Sequence, residues 1–216
     1  MASLGARSAS RFLSPLRANS LVRSIRAALT PSSQLLGSAS LSTWTAVQQT
    51  SLLTAYWRAI ELKQGNPPLC FDQQAVTLCD NLLDPELEEK FLRSPLLRDG
   101  TDLLAVRTRC LDDWIEQPCW PPVHTTKRQI VLLGAGMDTR AYRLGLSMHT
   151  TKIFEVDSDV ALLESKHAAL EAAGHRARVP IERCQADVSD ADACGAALEA
   201  AGLDATVPTR RAGVIH

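Results

Sequence analysis

The sequence lacks several features that would place a protein in a particular class. No apolar run approaches the roughly 18 residues that a membrane-spanning helix needs, and the net charge of -1 argues against a general nucleic-acid-binding protein. The six cysteines form no Cys-x-x-Cys pair, and no histidine lies at a metal-ligand spacing from them. We therefore expect reduced, mostly structural thiols, with neither a zinc site nor a disulfide framework.

Acidic residues are absent before Glu61, whereas the same stretch contains six arginines and no lysine. Residues 1–42 are also rich in serine and alanine, a composition that is typical of organelle transit peptides. We expect a leader for a mitochondrion or a chloroplast. The alternative is a disordered basic arm without a targeting role, in which case the protein would be cytoplasmic. The fold prediction leaves this segment out.

Residues 43–128 predict a helical cap region that precedes the sheet. Helical patterns extend over residues 43–63 and 101–116. Residues 69–91 indicate one or two short helices, with a break near Asp84-Pro85. Glycine and proline residues separate these segments, as is expected at helix ends.

Residues 129–216 predict part of a doubly wound α/β sheet. The apolar run 130–133 precedes the turn Gly134-Ala135-Gly136, and a second apolar run ends in Asp157. Strand, glycine turn, helix, strand and acid follow one another in this order in Rossmann-like nucleoside-binding sheets. The glycines permit close approach of a ligand to the backbone. The carboxylate of Asp157 offers two oxygens to the two ribose hydroxyls.

The remaining sequence predicts alternating helices and strands. Helices are expected over residues 139–146 and 158–173, with Gly174 as a left-handed cap, and from about Ser189 to Gly202. A third strand is expected near 179–185 and the start of a fourth at 212–216. So few strands indicate a truncated sequence or a fragment. The open edge of an incomplete sheet predicts that the isolated chain is poorly soluble or partly unfolded.

The glycine turn favours S-adenosylmethionine over a dinucleotide. A dinucleotide fingerprint has a third glycine three residues after the second, where this sequence has Thr139, next to Asp138. A carboxylate at that place would repel a pyrophosphate but suits the cationic groups of S-adenosylmethionine. Asp187, after the third strand, is placed to bind the adenine amino group. An NAD(P)-dependent oxidoreductase is the alternative.

Arg107 gives a second indication. At about 100° per residue, Arg107 falls in the middle of an arc of α-helical positions, while Arg109 points to the opposite side. The arc consists of Leu103, Leu104, Cys110, Leu111, Trp114 and Ile115. A guanidinium on an apolar face is costly without an anion. We therefore expect Arg107 to bind the carboxylate of the methionine moiety, or alternatively a local Asp or Glu.

Several other charged or polar residues are predicted to lie on solvated surfaces. These are Arg109, Asp112 and Asp113 on the helix of Arg107, and Arg140, Tyr142 and Arg143 on the helix after the glycine turn. Of Glu155 and Asp157 we expect only Asp157 to face a ligand. His167 is predicted to be a packing residue.

Three segments are similar to one known family, namely residues 105–114, residues 133–144 with the block Gly-Ala-Gly-Met-Asp-Thr-Arg, and residues 154–157. They resemble the leucine carboxyl methyltransferase family, as do Thr54-Ala55 and residues 58–61. The resemblance runs from about residue 43 to the end. It implies a class I methyltransferase fold that uses S-adenosyl-L-methionine.

The resemblance also implies roles by position. Arg107 would contact the cofactor carboxylate, Gly134 its methionine part, and Asp157 the ribose. Asp187 and Val188 would contact the adenine. Gly136 and Asp138 complete the predicted cofactor site.

The acceptor implied by the resemblance is a carboxylate of a protein or a small molecule. Such an acceptor is already ionised at neutral pH, so catalysis relies on proximity and orientation. No catalytic acid, base or metal ligand is therefore predicted. The family's Glu-Gly-Leu motif would follow the fourth strand, beyond this sequence, which leaves an inactive remnant as a further alternative.

Overall fold

The computed structural model describes residues 44–65, 67–95, 97–117 and 127–213. The predicted leader, 1–42, and the last residues of the predicted fourth strand, 214–216, lie outside this part of the chain. Within these described ranges, four helices precede the sheet: α1 (Ala46–Gln64), α2 (Gln73–Leu82), α3 (Pro85–Leu92) and α4 (Leu97–Glu116). All four were predicted, with α4 beginning earlier than expected. No helix of the described residues is both long and apolar enough to span a membrane.

Side-chain caps explain where the first three helices begin. Thr45 and Gln48 form a reciprocal capping box at the start of α1. Asp72 and Asp84 accept hydrogen bonds from the backbone N–H groups of Ala75 and Leu87 at the starts of α2 and α3. The break near Asp84 therefore falls where it was predicted.

The second half of the chain alternates strands and helices. The elements are β1 (Arg128–Leu133), α5 (Arg140–Arg143), β2 (Thr151–Asp157), α6 (Val160–Ala172), β3 (Ile181–Gln185), α7 (Ala191–Ala200) and β4 (Thr209–Gly213). The strands are parallel, in the order β3-β2-β1-β4. The predicted α/β, Rossmann-like class is therefore confirmed.

Three local predictions can be compared with the observed bounds. Helix α5 is shorter than predicted because Leu144 already has extended backbone angles, φ -73° and ψ 149°. Strand β4 begins at Thr209, earlier than predicted. Gly174 has the predicted left-handed conformation, with φ 84°, and the next residue, His175, donates its N–H to the carbonyl of Leu170 at 2.9 Å.

Alternating residues of the central strands face two hydrophobic clusters. On one sheet face, Ile130, Leu132 and Ile153 belong to the larger cluster, which also contains residues of all four cap helices. On the other face, Val131 and Phe154 pack with residues of α7. The helical cap region therefore packs directly on the sheet. The predicted division into regions 43–128 and 129–216 stays a prediction from the sequence.

The strand order indicates a crevice at the carboxyl-terminal ends of the strands. Successive strands step away from β1 to β2 and β3, and the chain then returns to place β4 on the other side of β1. Ligands of open α/β sheets bind at such a reversal of strand order, outside the carboxyl ends of the strands. The glycine turn follows β1, and Asp157 ends β2.

Candidate functional site

The glycine turn closes tightly after β1. Gly134 and Gly136 have positive φ angles of 64° and 42°, which residues with a Cβ rarely adopt. Within the turn, the N–H of Asp138 donates to the carbonyl of Ala135 at 2.8 Å. The N–H of Ala135 donates to Val156 of β2 at 3.0 Å. The turn therefore has a fixed shape and is held against the neighbouring strand.

Asp157 connects the glycine turn to the loop that follows β2. Its side chain is buried, with Oδ2 accepting from the N–H of Gly136 at 2.8 Å and Oδ1 accepting from the N–H of Asp159 at 3.0 Å. Asp157 thus fixes the glycine turn relative to the end of β2, and its contact with ribose hydroxyls stays a prediction.

A buried group of charged side chains surrounds the turn. We call it the turn network, and its members are Arg58, Asp72, Asp112, Asp138, Arg140 and Arg143. These side chains come from α1, α4, α5, the glycine turn and the residue that caps α2. The network thus joins three cap helices to the loop after β1.

Asp72 is the most deeply buried carboxylate of the network, with no solvent exposure. Its Oδ2 accepts from Nε of Arg58 at 2.8 Å and from the hydroxyl of Thr139 at 2.7 Å. Its Oδ1 accepts from the N–H of Ala75 at 2.9 Å and caps α2. One carboxylate therefore links α1, α2 and the glycine turn.

Asp112 and Asp138 bind the remaining two arginines. Asp112 accepts from Nε of Arg140 at 2.8 Å and from both terminal nitrogens of Arg143, at 2.5 and 2.8 Å. Asp138 forms an ion pair with Arg140 and also accepts the backbone N–H of Arg140 at 2.8 Å. Each arginine of the network therefore faces at least one carboxylate.

The electrostatic environment keeps Asp72 and Asp138 ionised. Burial acts to raise the pKa of Asp138, but the charges of Arg140, Arg58 and Arg143, together with a backbone hydrogen bond, outweigh it and lower the pKa to about 2. The pKa of Asp72 is also lowered, because Arg58, Arg143 and hydrogen bonds outweigh burial. The charges of three arginines and three aspartates in the network therefore cancel.

Arg107 adds a further positive charge beside this balanced network. Its Nη2 donates to the carbonyl of Gly213 at the end of β4, at 2.5 Å, and no carboxylate of the described residues forms an ion pair with it. Burial lowers the pKa of Arg107, and repulsion by Arg140 and Arg58 lowers it further, against attraction by Asp138. Arg107 is therefore an incompletely compensated cation.

Arg107 lines a polar cleft next to the glycine turn. The other residues that line the cleft are Thr54, Arg58, Leu104, Thr108, Asp138, Thr139, Arg140 and Arg143. It lies between α1, α4 and the loop after β1. The structure thus brings together Arg107 and Asp138, which the sequence had predicted to share a site.

The predicted apolar arc of α4 was misplaced. The buried residues of the helix are Gly100, Thr101, Leu104, Ala105, Thr108, Asp112 and Ile115, whereas Cys110 and Trp114 of the predicted arc are exposed. Trp114 instead stacks on the guanidinium of Arg210 in β4, at 4.7 Å. Arg107 consequently lies at the margin of the buried face, where it can reach the cleft.

Asp187 and Val188 lie after β3, at the same edge of the sheet as Asp157. Both are exposed, and the N–H of the preceding residue, Ala186, donates to the carbonyl of Asp157 at 3.0 Å. Oδ1 of Asp187 accepts from the N–H and the hydroxyl of Ser189, which lowers the pKa of Asp187. Contact of Asp187 and Val188 with an adenine stays a prediction.

The sequence interpretation was wrong for Asp112, Arg140, Tyr142 and Arg143. They were predicted to lie on solvated surfaces, but the side chains of Asp112, Arg140 and Arg143 form the buried ion pairs of the turn network. Tyr142 is also buried. The solvated pair Arg109–Asp113 was predicted correctly, with side chains 59% and 57% exposed.

A second buried polar group lies beneath β2, away from the cleft lining. We call it the β2–α6 cluster, and its members are Glu155, Lys166, His167 and Tyr142. Glu155 accepts from Lys166 and interacts with His167, each at 2.8 Å. Glu155 thus faces α6, and His167 is a buried structural residue, as predicted. The described residues contain no group of His, Cys, Asp and Glu side chains arranged to hold a metal ion.

Comparison with known proteins defines the class of this fold and site. The sequence pattern of the leucine carboxyl methyltransferase family matches residues 51–212, and the chain therefore belongs to this family. The match includes all members of the turn network, Arg107, the glycine turn, Asp157, Asp187 and Val188. The resemblance expected from the sequence is thus confirmed.

The individual relatives carry the name of S-adenosyl-L-methionine-dependent methyltransferases. One from Mycobacterium tuberculosis is 36% identical over 144 residues, which cover 63% of this chain and 45% of the relative. One from Saccharopolyspora erythraea is 34% identical over 126 residues, covering 51% and 42%. One from Mycobacterium bovis is 31% identical over 154 residues, covering 68% and 45%. The chain thus spans less than half the length of these relatives.

Proposed function

We propose that this chain binds S-adenosyl-L-methionine in the crevice after β1, and that the protein transfers the methyl group to a carboxylate of a protein or a small molecule. The observation that carries the proposal is the uncompensated charge of Arg107. The turn network balances its own charges, so Arg107 leaves the cleft with one excess positive charge. A ligand carboxylate would neutralise it, and arginine suits bidentate carboxylate binding.

The other residues at this edge of the sheet fit the rest of the cofactor. Gly134 and Gly136 have positive φ angles and no Cβ that would hold the methionine part away from the backbone of the turn. Asp157, at the end of β2, suits the ribose hydroxyls. Asp187 and Val188 at the next strand suit the adenine, because the ribose and adenine of one nucleoside can extend across adjacent strand ends.

The bound cofactor would supply an activated methyl group, and the chain has little acid–base work to do. A carboxylate acceptor is already ionised at neutral pH. The residues of this chain would therefore bind and orient the reactants, which is the main source of rate in such a transfer. The residues that hold the turn in one shape serve this orientation.

The alternative, an NAD(P)-dependent oxidoreductase, is disfavoured by Thr139. This residue occupies the place of the third glycine, is almost completely buried, and donates its hydroxyl to Asp72. In a dinucleotide-binding fold, a glycine at that place permits the close helix–strand packing that supports a bound pyrophosphate. The charge of Asp138 argues against a bound pyrophosphate less strongly than the sequence suggested, because Arg140 already neutralises this charge.

Calorimetric titration of the chain with S-adenosylhomocysteine and with NADH tests the cofactor. We expect S-adenosylhomocysteine to bind and NADH not to bind, and an Asp157→Ala variant to bind at least about tenfold more weakly, since it loses hydrogen bonds to a charged group. Tight binding of NADH alone would support the oxidoreductase. An Asp157→Ala variant with the affinity of the parent would reject the ribose site.

The acceptor can be tested through the chemistry of methyl esters. The chain is incubated with methyl-labelled S-adenosylmethionine and a mixture of proteins and small carboxylic acids. Esters of carboxylates release labelled methanol in mild base, whereas methylated amines keep the label. Base-stable label would contradict a carboxylate acceptor. Binding without any transfer would favour the inactive remnant.

We further propose that residues 1–42 direct the protein to a mitochondrion or a chloroplast. The support is the composition of the segment, which contains five arginines and no acidic residue. Fusion of residues 1–42 to a fluorescent protein tests this. Organelle fluorescence that is lost when the five arginines are replaced by glutamine is the expected result, and diffuse fluorescence of the unmodified fusion contradicts it.

A further inference from the structure

We propose that Arg58, on α1, is a positioning residue of the cofactor site, which it affects by fixing one peptide unit of the glycine turn. This inference rests on the proposed function. Arg58 is buried, and its guanidinium is engaged on three sides. Nε donates to Asp72 at 2.8 Å, Nη1 donates to the carbonyl of Thr54 at 3.2 Å, and Nη2 donates to the carbonyl of Met137 at 2.6 Å.

The peptide unit between Met137 and Asp138 is held at both ends. Its carbonyl accepts from Arg58, and its N–H donates to the carbonyl of Ala135 at 2.8 Å. Rotation of this unit would break both bonds, one of them to a charged group. The peptide lies one residue after Gly136, which has a positive φ of 42°.

Asp72 fixes Arg58 itself. Its Oδ2 accepts from Nε of Arg58 and from the hydroxyl of Thr139. Asp72 therefore holds Thr139 directly and Met137 through Arg58, on the two sides of Asp138. Asp72 has no solvent exposure and caps α2. The cap helices therefore determine the shape of the turn, and preorganisation of the turn lowers the cost of binding.

The sequence offers a specific spectroscopic probe of this peptide. Met137-Asp138 is the one Met-Asp pair among the 216 residues. Cell-free synthesis of the full chain with carbonyl-¹³C methionine and ¹⁵N aspartate therefore gives one carbonyl–amide correlation in a triple-resonance spectrum. Its carbonyl shift reports the hydrogen bond from Arg58, because loss of a donor moves a carbonyl to lower chemical shift.

The test compares the parent with Arg58→Lys, in both the spectrum and the affinity for S-adenosylhomocysteine. Lysine keeps the charge opposite Asp72, but one ammonium cannot occupy all three acceptors in the geometry of a guanidinium. We expect the correlation to move and the affinity to fall by about tenfold, the size of one hydrogen bond to a charged group. An unchanged correlation, or a moved correlation with unchanged affinity, overturns the inference.

Asp84→Ala is the matched control for general loss of stability. Asp84 caps α3 through the N–H of Leu87 at 2.7 Å and makes no recorded contact with the turn. We expect this variant to be destabilised but to keep both the correlation and the affinity of the parent. A similar loss of affinity in Asp84→Ala would show that Arg58 acts through stability alone, and would overturn the inference.

A second variant covers the case in which Arg58→Lys does not fold. Asp72→Asn retains an oxygen that can cap α2 but removes the charge that orients Arg58. We expect a smaller shift of the same correlation and about threefold weaker binding, less than for loss of a full charged hydrogen bond. Unchanged binding here, with a shifted correlation, counts against the inference. A parent chain that does not bind S-adenosylhomocysteine instead overturns the proposed function, and this inference falls with it.

Discussion

Two buried charged groups of this chain have contrasting surroundings. The turn network lies around the loop after β1 and borders the cleft, and the β2–α6 cluster lies beneath β2. Both contain side chains with almost no solvent exposure, including Asp72 in the first and Glu155 and Lys166 in the second. Burial of charge therefore does not by itself identify a binding site.

The two groups differ in how completely their charges and hydrogen-bonding atoms are paired with one another and with their neighbours. In the β2–α6 cluster, one oxygen of Glu155 binds Lys166 and the other binds Nε2 of His167. An ionised carboxylate only accepts hydrogen bonds, so Nε2 of His167 carries the hydrogen of this bond. In a neutral ring, Nδ1 is then the acceptor of the hydrogen bond from the hydroxyl of Tyr142. The turn network also balances its charges, but it adjoins Arg107. The guanidinium of Arg107 lines the cleft and forms no ion pair with a carboxylate of the described residues. Excess charge at an open cleft is the feature that indicates a ligand.

The largest effect is expected from breaking the β2–α6 cluster. Glu155→Gln leaves Lys166 fully buried without a counterion, and loss of one partner of a buried ion pair costs about 3–5 kcal/mol. We expect that loss of unfolding free energy in denaturant titration, with little change for Glu164→Gln, an exposed position on α6. Stability close to that of the parent would show that Glu155 and Lys166 are not a tightly coupled pair.

Acid should remove the contribution of Glu155 in the parent. Burial acts to raise the pKa of Glu155, but Lys166 and His167 outweigh it and lower the pKa below its usual value of 4.5. A lowered folded-state pKa gives stability that is present above the unfolded pKa and lost as pH falls through the folded one. The difference between parent and Glu155→Gln should thus be constant above pH 4.5 and shrink at lower pH. A difference that grows in acid contradicts the sign of the shift.

Much of the fold could be predicted from local sequence signals. Glycine, proline and capping residues such as Asp84 set the helix ends, and the apolar runs around Gly134 and Asp157 predicted the succession of strand, glycine turn, helix and strand. These signals depend on neighbours in the chain, which the sequence shows directly. Arg107 and Asp138 were placed in a shared site for the same reason, because each stands out against its local pattern.

Apart from Asp138–Arg140, the ion pairs of the turn network could not be predicted, because each of the others joins separate segments of the chain. Asp112 and Arg143 are far apart in the sequence, and each resembles a surface residue on its own helix. Arg58 and Asp72 lie on either side of a loop, and only the packing of α1 and α2 on the turn shows that they meet there. A pattern on one helix cannot show which partner will neutralise a charge.

Arg107→Met should weaken cofactor binding at the cleft without disturbing the turn network or the β2–α6 cluster. We expect affinity for S-adenosylhomocysteine to fall by about 10- to 100-fold, because a charge-assisted carboxylate contact is lost. Unfolding free energy should stay the same or rise slightly, since a half-buried cation without a carboxylate partner is removed. Arg109→Met, which removes a member of an exposed pair on the same helix, should change neither quantity appreciably. Lower stability with unchanged affinity would assign Arg107 a structural role.

Tyr142→Phe should have the smallest effect. The hydroxyl of Tyr142 is hydrogen-bonded to Nδ1 of His167, and burial together with the charge of Glu155 raises the pKa of Tyr142, so the hydroxyl stays protonated. Its removal leaves a nearly buried imidazole nitrogen unsatisfied, at a cost of about 1 kcal/mol in unfolding free energy. Cofactor affinity should not change, because the cluster is separate from the cleft lining. Tyr56→Phe is the matched control at the other tyrosine, which packs on Phe91 at 5.7 Å. A loss of affinity in Tyr142→Phe at unchanged stability would show that the two buried groups are coupled through β2.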